Sequence, residues 1–191
     1  MLARENPFRT EIVLRYRYVF ACGQSMNGLA ERFDAMNCRA AIVGEKGRGK
    51  TTLVEDFCDY LVANGRAISI LRLNTLERKV ARQRCRELLN SATRDSILVL
   101  DGAEQLNWLE WRWLQKCSRS FRGLLVTTHQ PGRLNQLTRC ESNVETLKNA
   151  VSQIAPTEAC KLQKDIASLF AQHHGNIREC LRSLYDRYAC L

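Results

Sequence analysis

The chain predicts an α/β fold, with three layers around a mostly parallel sheet of about five strands and a small helical lid at the C-terminal end. Two observations carry that expectation. Short apolar runs recur at residues 39–43, 67–73, 96–100 and 123–128, and helical patterns separate them. Strands of about five residues, apolar on both faces and alternating with helices, belong to parallel sheets covered on both sides. From about residue 144 onward the pattern is helical, with no further strand.

The elements follow in order. Residues 1–24 form an N-terminal segment that opens on the turn-like Asn6-Pro7-Phe8 and continues through 13–20, which reads as extended. Residues 25–36 place Leu29, Phe33 and Met36 on one helical stripe. The first strand, 39–43, is followed by a glycine-rich stretch and a helix over about 50–63, with Leu53, Phe57, Tyr60 and Leu61 inward and Asn64-Gly65 as its stop. The run 67–73 is the second strand, and 75–90 reads as one strongly basic helix. Asp95 precedes the third strand, and 105–120 reads as a helix carrying Trp108, Trp111 and Trp113. Residues 123–128 are the fourth strand, and a short fifth is expected near 137–140. Residues 25–155 are thus expected to form the α/β core and 156–191 the lid.

Composition narrows the class. The 191 residues are 45% apolar, which supports a core, and no apolar run approaches the 18 residues of a membrane span. The start has no apolar signal-peptide stretch. Nine cysteines are scattered without C-x-x-C spacing. They read as small hydrophobes in a reducing cytoplasm rather than as zinc ligands or disulfides. The net charge of +9 suits phosphate-bearing partners, of which a nucleotide is one and a larger polyanion another.

Four groups of residues carry chemistry. Gly44-Glu45-Lys46-Gly47-Arg48-Gly49-Lys50-Thr51, followed by Thr52, is a complete G-x-x-x-x-G-K-[ST] loop between a strand and a helix. Its glycines let backbone N–H groups wrap phosphate oxygens at the positive end of the helix. Lys50 is expected to reach the β- and γ-phosphates of ATP, and the Thr51 hydroxyl to hold Mg²⁺. Ile97-Leu98-Val99-Leu100-Asp101 ends a neighbouring strand in a carboxylate suited to the same Mg²⁺. The residue after it is Gly102, so the nearest acid able to orient water is Glu104. That residue also reads as a carboxylate favoured at a helix start. Thr127-Thr128-His129 ends the fourth strand, with Thr128 the candidate to face the γ-phosphate and ordinary strand-end polarity the alternative. Gly175-Asn176-Ile177-Arg178-Glu179 opens the last helix. Asn176 is its cap, and Arg178 lies in a first turn where the helix dipole disfavours a cation.

Together these residues resemble the AAA/AAA+ branch of the P-loop ATPases over about residues 25–190. Residues 44–51 are similar to Walker A, 97–101 to Walker B and 127–128 to the sensor-1 region. Residues 175–182 are similar to the Gly-x-x-Arg-x-x-Leu sensor-2 helix of clamp-loader and origin-binding ATPases. The resemblance implies a P-loop NTPase core and an ATP-driven switch. In it, catalysis would involve Lys50, Asp101, Glu104, Thr128 and Arg178, with Arg178 coupling lid position to nucleotide state. An arginine finger from a neighbouring subunit would be expected in a ring-forming member, and Arg119, Arg122 and Arg133 are its candidates here.

No Asn-Lys-x-Asp guanine-reading motif is present. A small-molecule kinase with residues 78–86 as an arginine-rich lid, and a nucleotide-gated adaptor with little turnover, are the remaining alternatives. The basic segment reads either as a solvated helix face or as a nucleic-acid or partner surface. The tryptophans read as core or interface residues, with Trp113 on a different face from Trp108 and Trp111. A protein partner or a homo-oligomer is expected, and no membrane.

Overall fold

A computed structural model describes residues 5–13, 15–20 and 24–189, with the backbone alone for 76–78. The elements run α1 (Thr10–Val13), α2 (Met26–Ala35), β1 (Arg39–Val43), α3 (Lys50–Ala63), β2 (Ile68–Arg72), α4 (Ala81–Ser91), β3 (Ile97–Asp101), α5 (Trp108–Cys117), β4 (Gly123–Thr128), β5 (Gln136–Arg139), α6 (Val144–Ile154), α7 (Pro156–Gln172) and α8 (Ile177–Ala189). The chain divides into two compact units. One comprises residues 20–45 and 53–140, and the other 1–19, 46–52 and 141–191.

The first unit holds the sheet. Its order is β2-β3-β4-β1-β5, and every pairing is parallel. Alternate residues point to opposite faces of a strand, and both sets are buried here. Ala41, Val43, Leu98, Leu100, Leu124 and Val126 pack against Ala81, Cys85 and Leu88 of α4 and Trp111 and Leu114 of α5. The other set, including Ile42, Ile97, Val99 and Leu125, is fully buried on the opposite face. The helices there are α2 and α3, whose Phe33 and Phe57 rings meet edge to face at 5.7 Å. The unit therefore has three layers, as the double-sided apolar strands predict. Burial also raises the thiols of Cys58 and Cys85 to about 12, so both are protonated, inert core groups. None of the seven described cysteines forms a disulfide with another of them.

Two helices differ from their sequence expectation. The basic run 75–90 is not one helix: Thr75–Val80 is a 3-10 segment, and the α-helix starts only at Ala81. Ala81, Cys85 and Leu88 of the α-helix are buried against the sheet, whereas Val80 before it is exposed. The helix expected over 105–120 is trimmed at both ends. Asn107 accepts from the Glu110 N–H while the Glu110 carboxylate accepts from the Asn107 N–H, a capping box that starts α5 at Trp108. A separate 3-10 turn, Ala103–Gln105, precedes it, and another, Ser118–Ser120, follows.

The second unit is helical. Phe8 packs with Leu147 and Val151 of α6, Leu162, Ile166 and Leu169 of α7, and Cys180, Leu181 and Leu184 of α8. Asn6 fastens the N-terminal segment by donating to the Tyr185 carbonyl at 2.8 Å. The extended reading of 13–20 does not hold. Val13 ends the short helix α1, and 15–20 is neither helix nor strand, while Leu14 lies outside the described residues. Among the described residues no helix is long and apolar enough to cross a membrane.

Candidate nucleotide site

Glycine chemistry shapes the loop that leaves β1. Gly47 has φ +78°, a left-handed conformation in which a side chain is strained, and a Cβ there would also run into the Asn176 amide. The loop passes directly into α3, whose first residues are Lys50, Thr51 and Thr52. Lys50 is buried, and Glu45 and Lys46 are exposed. The positive end of a helix dipole and a tight glycine-rich backbone form a site for an anion.

Arg48 ties this loop to the turn before α8. One of its terminal nitrogens donates to the Ser142 hydroxyl at 2.6 Å and to the Gly175 carbonyl at 2.8 Å, and the other donates to the His174 carbonyl at 2.9 Å. Ser142 also donates to the Gly175 carbonyl at 2.6 Å. The Ile177 N–H donates to the Gly47 carbonyl at 3.1 Å. Asn176 caps α8 by accepting from the Glu179 N–H at 3.2 Å, as its place in the sequence suggests. Arg178, the second residue of α8, is exposed and makes no hydrogen bond or ion pair among the described residues.

The acidic strand end is held separately. Residues 97–100 are fully buried, and Asp101 emerges half-buried at the end of β3. Thr127 donates its hydroxyl to Asp101 Oδ1 at 2.6 Å and accepts from the Gly102 N–H at 2.8 Å. One buried hydroxyl thus orients the carboxylate and the turn behind it. The neighbouring Thr128 donates instead to the Gln130 carbonyl at 2.8 Å. The sequence places Thr127 in the sensor-1 region but does not pair it with Asp101. The signal was β3–β4 register: Leu100 pairs with Val126, which brings Asp101 beside Thr127.

Gly102 has φ +94°, and a Cβ there would collide with the Leu73 backbone carbonyl. No acid can follow Asp101 directly in this turn. Ala103 then enters the core, and Glu104 after it is half-buried. Its Oε1 lies 3.1 Å from His129 Nε2, and its Oε2 is buried without a hydrogen-bond partner. A buried orphan carboxylate oxygen is costly, and its donor requirement fits a water. Arg133, nearby in charge terms, has its guanidinium pushed down by burial and partly restored by Glu104. It donates to the Leu106 carbonyl at 2.5 Å and lies over the Trp111 ring at 5.0 Å. The sheet brings Asp101, Thr127, Glu104 and His129 together within one unit. Arg48, Gly47 and the turn before Arg178 come together in the other.

The glycine-lined helix start suits the phosphates of a nucleotide. No cluster of three or more His, Cys, Asp or Glu with metal-holding geometry occurs among the described residues.

Comparison with solved structures supports this fold. Domain III of the replication initiation protein DnaA from Thermotoga maritima matches with a TM-score of 0.55 at 14% identity, over 92% of this chain and 87% of that one. A RuvB mutant from the same organism matches with a TM-score of 0.51 at 14% identity, over 84% of this chain. The match spans 61% of that RuvB chain. No family model matches the chain, and no curated protein matches it by sequence. The chain has the three-layer α/β fold of these structures, with the glycine-rich loop between β1 and α3.

Proposed function

We propose that the chain is an ATP-binding, Mg²⁺-dependent AAA-type ATPase that couples its nucleotide state to a protein partner or nucleic acid. The observation that carries this is the loop at 44–51, which runs from the end of β1 into the first turn of α3. The proposed contacts are main-chain N–H groups of Glu45, Lys46, Gly47, Arg48 and Gly49 with phosphate oxygens, continued by Lys50, Thr51 and Thr52, while the Gly44 N–H anchors the start of the loop on the Thr128 carbonyl at 3.1 Å. Mg²⁺, held by Thr51 and Asp101, would supply charge neutralisation between the β- and γ-phosphates.

The reaction is attack of water on the γ-phosphorus, cleavage of the bond to the bridging oxygen, and release of ADP and phosphate. Glu104 accepts a hydrogen bond from the attacking water and takes its proton. Lys50 and Arg178 balance charge on the transferred phosphoryl oxygens. Thr128 contributes a polar group toward the γ-phosphate, and Thr127 positions Asp101. Residues 156–191 serve as the lid that carries Arg178. The cysteine usage supports a reducing, cytoplasmic setting.

Isothermal titration of ATP with Mg²⁺ into wild type and Lys50→Ala tests the reading. Binding is expected in the first and loss of binding in the second, and equal affinity removes the assignment. A slow nucleotide-gated adaptor is the second reading. It is favoured by one observation, the engagement of Glu104 Oε1 by His129. Turnover measured with and without DNA, RNA and candidate partners separates the two.

A further inference from the structure

The outer faces of α4 and α5 present a row of guanidinium groups and indoles that the nucleotide chemistry does not use. Leu109, Arg112, Trp113 and Lys116 recur at three- and four-residue intervals and so share one face of α5. Trp108 sits one turn before Arg112. Trp108 is 63% exposed and Leu109 69%. The Arg112 guanidinium lies over the Trp108 ring at 4.9 Å, and Arg82 of α4 lies over Trp113 at 5.4 Å. Arg86 lies one turn beyond Arg82 on the exposed side of α4. The inward residues Ala81, Cys85, Leu88, Trp111 and Leu114 supply the core packing, so Trp108 and Leu109 remain outside it.

Charge on this surface is unbalanced. Arg82, Arg86, Arg112 and Lys116 have no carboxylate partner among the described residues. The two acids on these helices are otherwise engaged. Glu87 pairs with Arg84 at 3.9 Å and accepts from Gln83 at 3.1 Å, and Glu110 closes the α5 capping box. A second copy of the chain is a poor occupant, since it carries the same net charge of +9.

We propose that this face of α4 and α5 binds single-stranded nucleic acid. Trp108 offers an exposed indole on which an unpaired base stacks, Trp113 packs partly against the core and holds Arg82 over its ring, and Arg82, Arg86, Arg112 and Lys116 take the neighbouring phosphates. A duplex fits less well, because its base faces are already stacked and only its edges and backbone are exposed. The proposal gives the coupling suggested above a specific nucleic-acid partner. It rests on that reading for the coupling alone, since all of these residues belong to the sheet-bearing unit and binding needs no nucleotide.

The test uses the full chain without nucleotide, titrated against a fluorescein-labelled oligo-dT 20-mer and the corresponding oligo-U. Anisotropy and tryptophan emission are followed at several salt concentrations. Binding with quenched indole emission is expected. Trp108→Ala is expected to weaken it on the order of tenfold, with Trp108→Phe restoring most of the loss. Arg82→Ala combined with Arg86→Ala should flatten the slope of log affinity against log salt by about 1.4. Circular dichroism confirms that each variant is folded. Absence of binding overturns the proposal. So does unchanged affinity in folded Trp108→Ala, or equal capture of poly-glutamate with no indole quenching. A parallel ATP titration keeps the failures distinct: ATP binding without oligonucleotide binding removes this surface alone, and the converse removes the nucleotide site alone.

Discussion

The Arg48 guanidinium donates to the Gly175 carbonyl at 2.8 Å, and the same carbonyl accepts from Ser142 at 2.6 Å. A residue at a variable position of the phosphate loop therefore holds the turn that starts α8. Glycine at 47 is required by the same junction, because the Asn176 amide occupies the space of a Cβ.

Arg48→Ala should leave the fold intact and loosen residues 173–177. Loss of charge-assisted hydrogen bonds, with Ser142 still serving the Gly175 carbonyl, is expected to cost about 1–3 kcal/mol. Amide hydrogen exchange of His174, Gly175, Asn176 and Ile177 should rise, while exchange in β3 and β4 stays unchanged. Arg48→Lys should recover only part, since one ammonium cannot reproduce a planar fork that reaches three acceptors.

Thr127→Val removes the hydroxyl that orders Asp101 and leaves the buried Gly102 N–H without its acceptor. The expected loss is about 1–3 kcal/mol in a urea titration. Thr127→Ser should retain most of the stability. If Asp101 manages Mg²⁺, Thr127→Val also lowers turnover more than it lowers ATP affinity, which a kcat and KM comparison reads directly.

Much of the architecture was visible because its signals are local. Double-sided apolar strands announce a covered parallel sheet, and Asn64-Gly65 stops α3 where a left-handed glycine does. The misreadings arose where non-local facts decide. Charge alone made 75–90 look uniform, whereas α4 begins only where Ala81, Cys85 and Leu88 find a sheet to cover. Which strand-end hydroxyl meets Asp101 depends on strand register, and the parallel pairing places Thr127 there. The Arg48 junction depends on the loop meeting the 173–176 turn, more than 120 residues away in sequence.

His129 engages one oxygen of Glu104 and leaves the other buried without a partner. Under the proposed chemistry, Glu104→Gln keeps ATP binding and lowers hydrolysis by at least about a hundredfold, as loss of a general base does. His129→Ala frees Oε1 and is expected to raise basal turnover severalfold if the pair restrains the carboxylate. A fall in turnover would assign His129 to holding Glu104 in its working position. Phosphate release at saturating ATP distinguishes these outcomes.

Gly102 explains why an acid does not follow Asp101, and that yields a sharp expectation. Under the proposed chemistry, introducing one by Gly102→Glu does not raise turnover. The residue sits at φ +94°, where any side chain is strained, and its Cβ would strike the Leu73 backbone carbonyl rather than a movable side chain. Left-handed strain alone costs about 1–2 kcal/mol. Displacing β2's following residue adds to this, because the Leu73 N–H is itself bonded to the Asp101 carbonyl at 2.8 Å. Gly102→Ala isolates the backbone effect, and both variants should lower the urea midpoint with an unchanged slope. Turnover should fall in both, because the turn that carries Glu104 begins at this residue. A Gly102→Glu variant as stable as wild type and faster in phosphate release would show that the turn tolerates a side chain and that Glu104 is not its substitute.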